Sequence, residues 1–565
     1  MNIQQIRTHI KQMGLEAYVV AHGNRFIGED IKADEHKLKQ ICGFSGSAGI
    51  LAITADKCYL LVDGRYELQA RLETNGKRVE VVDMMPRLKN VCDLLSLHQI
   101  HSVGYDSWNH SVAEMEFIKR RYKDMLFTDI GDLVTETPNV SPIIVRQRDV
   151  KFAGLSREQK CHYITDMLAE KSADYCLITA ADSVSWLLNI YAEDLPYSPI
   201  VRAYALISST GDITLFGNNL KADLPTENWD KFAPKMAALD SAKIMYDPHN
   251  TPEKIKSLVS ADSMLIKMSD ICQTLKAEKN PTELNGMINC HIRDGVALSK
   301  FLCWLEQHYQ GLSELDVVEK LHEFRSRQDN FFSESFATIS GSAENGAIVH
   351  YQPNRKSNRL LADNNLLLID SGGQYLDGTT DVTRTIALGT PSAEMIKDFT
   401  LVLKAHISLA QARFPVDTAG TKLDIVARGC LWQEGLDYKH GTGHGVACFG
   451  NVHEGPISIS PNSSEYGFKA NMVTSDEPGI YKEGKYGIRI ENLQYTAKVA
   501  DFAGEFLEFR YLTKVPIDKR LIAEYMLTDG EKAWLNNYHR DVFNDLAPYM
   551  NETEKLWLKD ACSPL

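Results

Sequence analysis

The chain has 565 residues, 44% of them hydrophobic and 24% charged, which excludes disorder as its dominant state. A net charge of −14 excludes a general nucleic-acid binder, which needs a basic face. No window approaches about 18 consecutive apolar residues and no secretory signal is visible at the N-terminus, so no membrane partner is expected. The eleven cysteines stand singly between Cys42 and Cys562 with no CxxC, which reads as reduced, buried thiols in a cytoplasmic protein. At roughly 150 residues per domain, the length predicts two to four domains.

The first stretch alternates strand and helix patterns. LEAYVVA (15–21) reads as a strand, 49–66 as two strands around a turn, and RYELQARLE (65–73) as the opening of a helix. TETPNVSPIIVRQRD, near 135–150, has linker character, with two prolines and few helix signals. A second alternation comes next: helix at 156–173, strand at DYCLITA, helix at SVSWLLNIY and strand at RAYALIS, closing where Asn280–Pro281 punctuates the chain. Two successive α/β segments of similar length point to duplicated or similar domains. ELNGMINCHIRDGVALSKFLCWLEQHY is then one long amphipathic helix, with Met287, Cys290, Ile292 and Val296 on one stripe. WLNNYHRDVFNDL (534–546) has helical spacing and reads as core or subunit contact.

Candidate chemistry concentrates between His350 and Glu491. LLLIDSGGQYLDGTTDVTRT holds Asp370 and Asp381; HGTGHGVACFGNVHEGP holds His440, His444 and His453; TSDEPGIYKEGKYGIRIEN holds Glu477 and Glu491. Asp370 leaves an apolar run that reads as a buried strand, where a carboxylate needs a compensating partner. Glu477 and Glu491 lie symmetrically about Gly484, so a hairpin there sets them opposite each other with β-carbons about 4.5–5.5 Å apart. Two carboxylates that close repel unless they share a proton or a cation. A tight turn at Asp377–Gly378 would leave Asp370 and Asp381 on one face but roughly 13 Å apart. A longer loop, or a bulge at Ser371–Gly372–Gly373, is needed to bring them together. Four carboxylates with a histidine suit divalent first-row ions such as Mn²⁺, Co²⁺ or Zn²⁺, and two such ions about 3.5–4 Å apart activate a water between them. Arg489, two residues before Glu491, shares its strand face and either neutralises the carboxylates or binds substrate. Tyr481 reads as packing.

These blocks resemble the pita-bread metallopeptidases, and among them the cytosolic-type, three-domain Xaa-Pro aminopeptidases; GFSGSAG (43–49) and DGRY (63–66) are similar to that family's first domain. The resemblance implies two Rossmann-like or ribonuclease-H-like α/β domains, 1–140 and 141–278. An α+β pita-bread catalytic domain with a C-terminal extension comes after them, 279–565. It implies two divalent ions, Mn²⁺ first with Co²⁺ or Zn²⁺ possible, on Asp370, Asp381, His444, Glu477 and Glu491. Glu477 becomes the general base on the attacking water, and His350 and His453 orient the peptide and help the proline nitrogen leave protonated. His440 contacts substrate or orients His444, and Arg65 is a candidate to reach the site from the first domain. The implied reaction releases the N-terminal residue from peptides with proline second, in a cytoplasmic homodimer. An Xaa-Pro dipeptidase is the nearest alternative, and a non-catalytic pita-bread binding module the remaining one.

Overall fold

A computed structural model describes residues 1–74, 79–134 and 141–565. They form two compact units. The first comprises Met1–Asp149, Leu155–Leu195 and Pro199–Cys272, and the second Val150–Gly154, Pro196–Ser198 and Gln273–Leu565.

The first unit carries two six-stranded sheets of one topology. One sheet runs Glu80–Asp83, Cys58–Val62, Ile50–Thr54, Ala17–Ala21, Ser102–Tyr105, Leu126–Asp129 across its width. The other runs Thr226–Glu227, Ile213–Phe216, Tyr204–Ser208, Tyr175–Ile178, Lys243–Tyr246, Met264–Lys267. In each, the first three strands in chain order form an antiparallel meander and the remaining three join in parallel. The similarity expected from pattern alone is thus a repeated strand order. The antiparallel meander departs from an all-parallel Rossmann sheet and leaves the ribonuclease-H-like alternative. Residues 135–140 of the expected linker lie outside the described residues; its later part holds short strands at Ile143–Ile144 and Arg146–Gln147.

The second unit opens with the helix Pro281–His308. Asn280 caps it, its side chain accepting from the Thr282 and Glu283 amides at 2.9 and 3.0 Å while Glu283 reaches back to the Asn280 amide. A single amphipathic stripe was the expectation; the helix is instead buried on almost every face from Asp294 to Leu302, and Ile292 is only half-buried. It is a core helix, wrapped by antiparallel sheets. Ile339–Ser342, Asn365–Ser371 and Val382–Leu388 form one sheet, and Arg413–Pro415, Phe506–Tyr511, Asn492–Lys498, Val473–Asp476, Gly443–Gly445, Glu454–Ile459 form another. The helices Ala393–Ala410, Gly420–Trp432 and Asp529–Leu546 contribute to the largest apolar cluster among the described residues. Leu535, Tyr538, Val542 and Leu546 are buried there, so 534–546 is core. All eleven cysteines are free thiols, ten of them buried. Among the described residues no helix is long and apolar enough to cross a membrane.

Candidate metal centre

The candidate ligands sit where strands of the second unit end. Asn365–Ser371 pairs with Val382–Leu388 so that Asp370 faces Thr383, and the same register continues to Gln374↔Thr379 and Tyr375↔Gly378. The tight turn therefore holds Leu376 and Asp377, one residue earlier than expected. That shift brings Asp381 within two positions of Asp370, roughly 7 Å along a strand rather than 13 Å. The ladder is interrupted at Gly372, where any β-carbon would lie on the Thr380 carbonyl oxygen, so only glycine permits the crossing.

The hairpin Gly479–Lys482 to Tyr486–Arg489 is centred on Gly484, which takes the left-handed φ of +71° that glycine tolerates best. Its register carries Glu477 and Glu491 to opposing positions, as the symmetry predicted. Between the pairs Gly479↔Arg489 and Asp476↔Asn492 the glutamate amides turn to other segments: that of Glu477 donates to the Thr442 carbonyl at 2.8 Å and that of Glu491 to the Thr383 carbonyl at 3.1 Å. Each glutamate is thereby tied to the segment that carries another candidate ligand.

His444 lies on the short strand Gly443–Gly445. Its Nδ1 is 3.0 Å from the Gly445 carbonyl, a bond in which only the ring can donate. Nε2 lies 3.5 Å from both Asp381 Oδ2 and Glu477 Oε1. One donor atom each from Asp381, His444 and Glu491 lies within 4.8 Å of the others. Asp370 joins through charge: burial first, then repulsion from Asp381 and Glu477, pushes its carboxyl up to about 7 despite Arg489 at 2.5 Å. Burial likewise raises Glu477, and it carries Glu491 well above the usual carboxylate range with Asp381, Glu477 and Asp370 adding to it.

A buried oxygen without a partner costs free energy. Asp370 Oδ1, Asp381 Oδ1 and Glu491 Oε1 are three such atoms, clustered here without hydrogen-bond donors. The donor set is all carboxylate plus one imidazole, suited to divalent first-row ions, and the excess negative charge fits more than one of them. The residues fit a dinuclear centre.

Four profiles cover nearly the whole chain. Metallopeptidase family M24 matches residues 285–497, the C-terminal region of peptidase M24 matches 505–565, and creatinase/prolidase N-terminal domains match 2–137 and 136–283. A probable Xaa-Pro aminopeptidase P of Laccaria bicolor is 35% identical over 100% of this chain and 93% of its own length. The chain belongs to the Xaa-Pro aminopeptidase P branch of metallopeptidase family M24. Xaa-Pro aminopeptidase 1 of Dictyostelium discoideum is 34% identical, covering 100% of this chain and 96% of that protein. The crystal structure of an X-prolyl aminopeptidase from Caenorhabditis elegans, described as a cytosolic enzyme with a di-nuclear active site, superposes with a TM-score of 0.91. It is 33% identical and covers 98% of this chain and 95% of that one. The M24 architecture of two creatinase-type domains and a pita-bread domain is thereby shown for this chain.

All the candidate ligands of this M24 chain fall in the matched segment. The histidines are distributed around them. His453 is exposed and its ring meets that of His444 edge-on at 4.4 Å. His440 is buried; its Nδ1 contacts the Gly441 carbonyl at 2.8 Å and its Nε2 the Tyr481 hydroxyl at 2.8 Å. His350 is half-buried and comes directly after Val349, whose carbonyl lies 3.5 Å from Arg489 Nη1 and Nη2.

Arg489 is buried, and its donors face inward: Asp370 Oδ2 at 2.5 Å, the Tyr481 hydroxyl at 2.7 Å and the Thr383 hydroxyl at 3.1 Å. This is the geometry of its neutralising reading. Thr383 passes the contact on, donating to Glu491 Oε2 at 2.7 Å. Tyr481 and Thr383 were missed by sequence reasoning. Tyr481 is no mere packing residue, since its hydroxyl joins His440 to Arg489. The available signal for Thr383 was its position two residues after Asp381, on the same face of an extended segment. Arg65, in the first unit, is held by Asp63 in a two-pronged pair at 2.8 Å.

Proposed function

We propose that this chain is a cytoplasmic, homodimeric aminopeptidase that releases the N-terminal residue from peptides with proline in second position, using two Mn²⁺ ions. The observation that supports it best is the trio of buried, donorless carboxylate oxygens beside His444 in a chain of this family. Asp370, Asp381, His444, Glu477 and Glu491 would hold the ions. When bound, they supply Lewis-acid polarisation of a carbonyl and a water acidified to near neutrality. The remaining work is the protein's own. Glu477 takes the proton of the attacking water. His453, open to solvent beside His444, and His350 orient the peptide and return a proton to the proline nitrogen, which as a tertiary amide has none of its own. His440, whose ring nitrogens meet the Tyr481 hydroxyl and the Gly441 carbonyl, contacts the substrate or orients His444. Arg489 acts on substrate through Asp370 and Tyr481, offsetting part of the charge of the one and orienting the hydroxyl of the other.

The test is a substrate panel with purified, Mn²⁺-loaded protein. An Arg-Pro-Pro-type peptide should be cut after its first residue and N-acetylation should block the cut. Alanine in place of the proline should lower kcat/KM at least tenfold, about 1.4 kcal/mol. Equal rates on Xaa-Ala and Xaa-Pro peptides would reduce the reading to a general aminopeptidase, and cleavage confined to Xaa-Pro dipeptides would make the chain a prolidase.

A further inference from the structure

Behind the carboxylate cluster lies a second polar assembly that the proposed reaction does not use. Asp476 and Asn492 face each other across the strands Val473–Asp476 and Asn492–Lys498. Each is the immediate chain neighbour of a candidate ligand, Glu477 and Glu491. Asp476, Asn492, His406, Arg384 and Tyr538 are all at most 3% exposed. Arg384 donates to Asn492 Oδ1 at 2.8 Å, to the Glu491 carbonyl at 2.7 Å and to the Thr383 carbonyl at 2.9 Å. Asn492 Nδ2 lies 3.2 Å from His406 Nε2, and His406 Nδ1 lies 3.1 Å from the Asp476 carbonyl and 3.2 Å from its carboxylate.

The donor directions in this chain are forced. A guanidinium only donates, so Asn492 must turn its oxygen to Arg384 and its NH₂ to His406. Nε2 of His406 must then accept, and Nδ1 carries the hydrogen that the Asp476 carbonyl receives. The helix Asp529–Leu546 closes the assembly: the Tyr538 hydroxyl is 2.9 Å from Arg384, and the Trp534 ring stands edge-on to His406 at 5.8 Å.

The carboxylates in front of this assembly repel one another, and the strands bearing Glu477 and Glu491 would relieve that repulsion by spreading. We infer that His406, Asn492 and Arg384 are positioning residues that hold Glu477 and Glu491 at a fixed separation, and so set the affinity of the ion seated beside His444. This rests on the two-ion reading proposed above. Groups that orient metal ligands from behind typically change metal affinity about 10–100-fold when lost.

The test is Mn²⁺ titration of the full chain after chelation, by calorimetry and by electron paramagnetic resonance of free Mn²⁺, with thermal denaturation alongside. Wild type should bind two ions. His406→Leu should still bind two, one of them about 10–100-fold more weakly, with KM unchanged and kcat restored at saturating Mn²⁺. His406→Gln, which keeps an acceptor for Asn492, should lose less than His406→Leu. Should His406→Leu fail to fold, Asn492→Ser removes the same link with a smaller side chain and should show the same selective loss. Unchanged affinities for both ions in folded His406→Leu and Asn492→Ser would overturn the inference. So would a loss of activity that tracks thermal stability and is not restored by Mn²⁺, since that is an ordinary packing defect. Wild-type protein that binds no Mn²⁺ would overturn the two-ion reading itself, and with it this one.

Discussion

Among the acids that the second unit buries, Asp294 and the carboxylates near His444 are treated in opposite ways. Asp294, on the helix Pro281–His308, meets Arg325 at 2.7 and 3.2 Å and the Tyr375 hydroxyl at 2.8 Å. Burial would push its carboxyl up, but Arg325 and Tyr375 more than offset this and hold it below the usual range. The cluster of Asp370, Asp381, Glu477 and Glu491 has Arg489 as its buried guanidinium partner, and Asp370, Glu477 and Glu491 all rise. The two sites share a strand: Arg325 touches the Ser371 hydroxyl at 3.1 Å, and Asp370 next to it belongs to the cluster. An acid buried for structure arrives with its own cation and hydrogen bonds. The carboxylates of the cluster are left short of both, with Asp370 Oδ1, Asp381 Oδ1 and Glu491 Oε1 lacking donors.

Breaking the cluster should have the largest effect. Glu477→Gln keeps the shape and removes the proposed base, so kcat at saturating Mn²⁺ should fall about 10²–10⁴-fold. Near-wild-type kcat at full metal occupancy would move the base to Glu491 or a histidine. Breaking the paired site should cost stability instead. Arg325→Leu strands the Asp294 charge and should destabilise the fold by about 3–5 kcal/mol in denaturant titration, with two-ion stoichiometry retained. Removing both charges together, Asp294→Asn with Arg325→Leu, should cost less than Arg325→Leu alone. Tyr481→Phe lies between the two sites in character. It removes a hydroxyl held by a guanidinium, worth about 1.5–3 kcal/mol, and this should fall on kcat more than on thermal stability.

The smallest effect is also the most discriminating. Acids whose folded pKa is raised bind more protons folded than unfolded, so their stabilising contribution is lost as pH rises. For Asp370 the loss runs from its ordinary value, about 4, up to about 7. Asp294 works with the opposite sign: its contribution is present above the ordinary carboxylate value and lost as pH falls below it. Chelated protein should therefore lose thermal stability between about pH 5 and about 7, and Mn²⁺ loading should abolish that slope while releasing protons measurable in buffers of different ionisation heat. A chelated protein with no such slope would mean that its cluster is already neutralised by protein groups.

Much of this was legible from local pattern. Asn280–Pro281 was legible as a break in the chain, and the structure places the capped start of the helix Pro281–His308 there. Gly484 announced the centre of a hairpin because register is set by the turn. The turn near Asp377 was misread by one residue, since Asp-Gly is the stronger local signal, while the sheet selects Leu376–Asp377 by the pairing of Asp370 with Thr383. Tyr481 and Arg384 were not legible as polar hubs, because a tyrosine or arginine in a strand pattern is equally often a packed or solvated one.

The order of the blocks, the ligand types and the family to which they belong are properties of the sequence alone, because each block is a short string whose chemistry is local. Which carboxylates lack donors, which cation answers which acid and how His406 is protonated belong to the tertiary structure. Those outcomes depend on Coulomb terms and hydrogen bonds between residues about a hundred positions apart, such as Asp370 with Arg489 and Thr383 with Glu491. In a low-dielectric interior such terms are decided by a few ångströms of placement, which no spacing along the chain encodes.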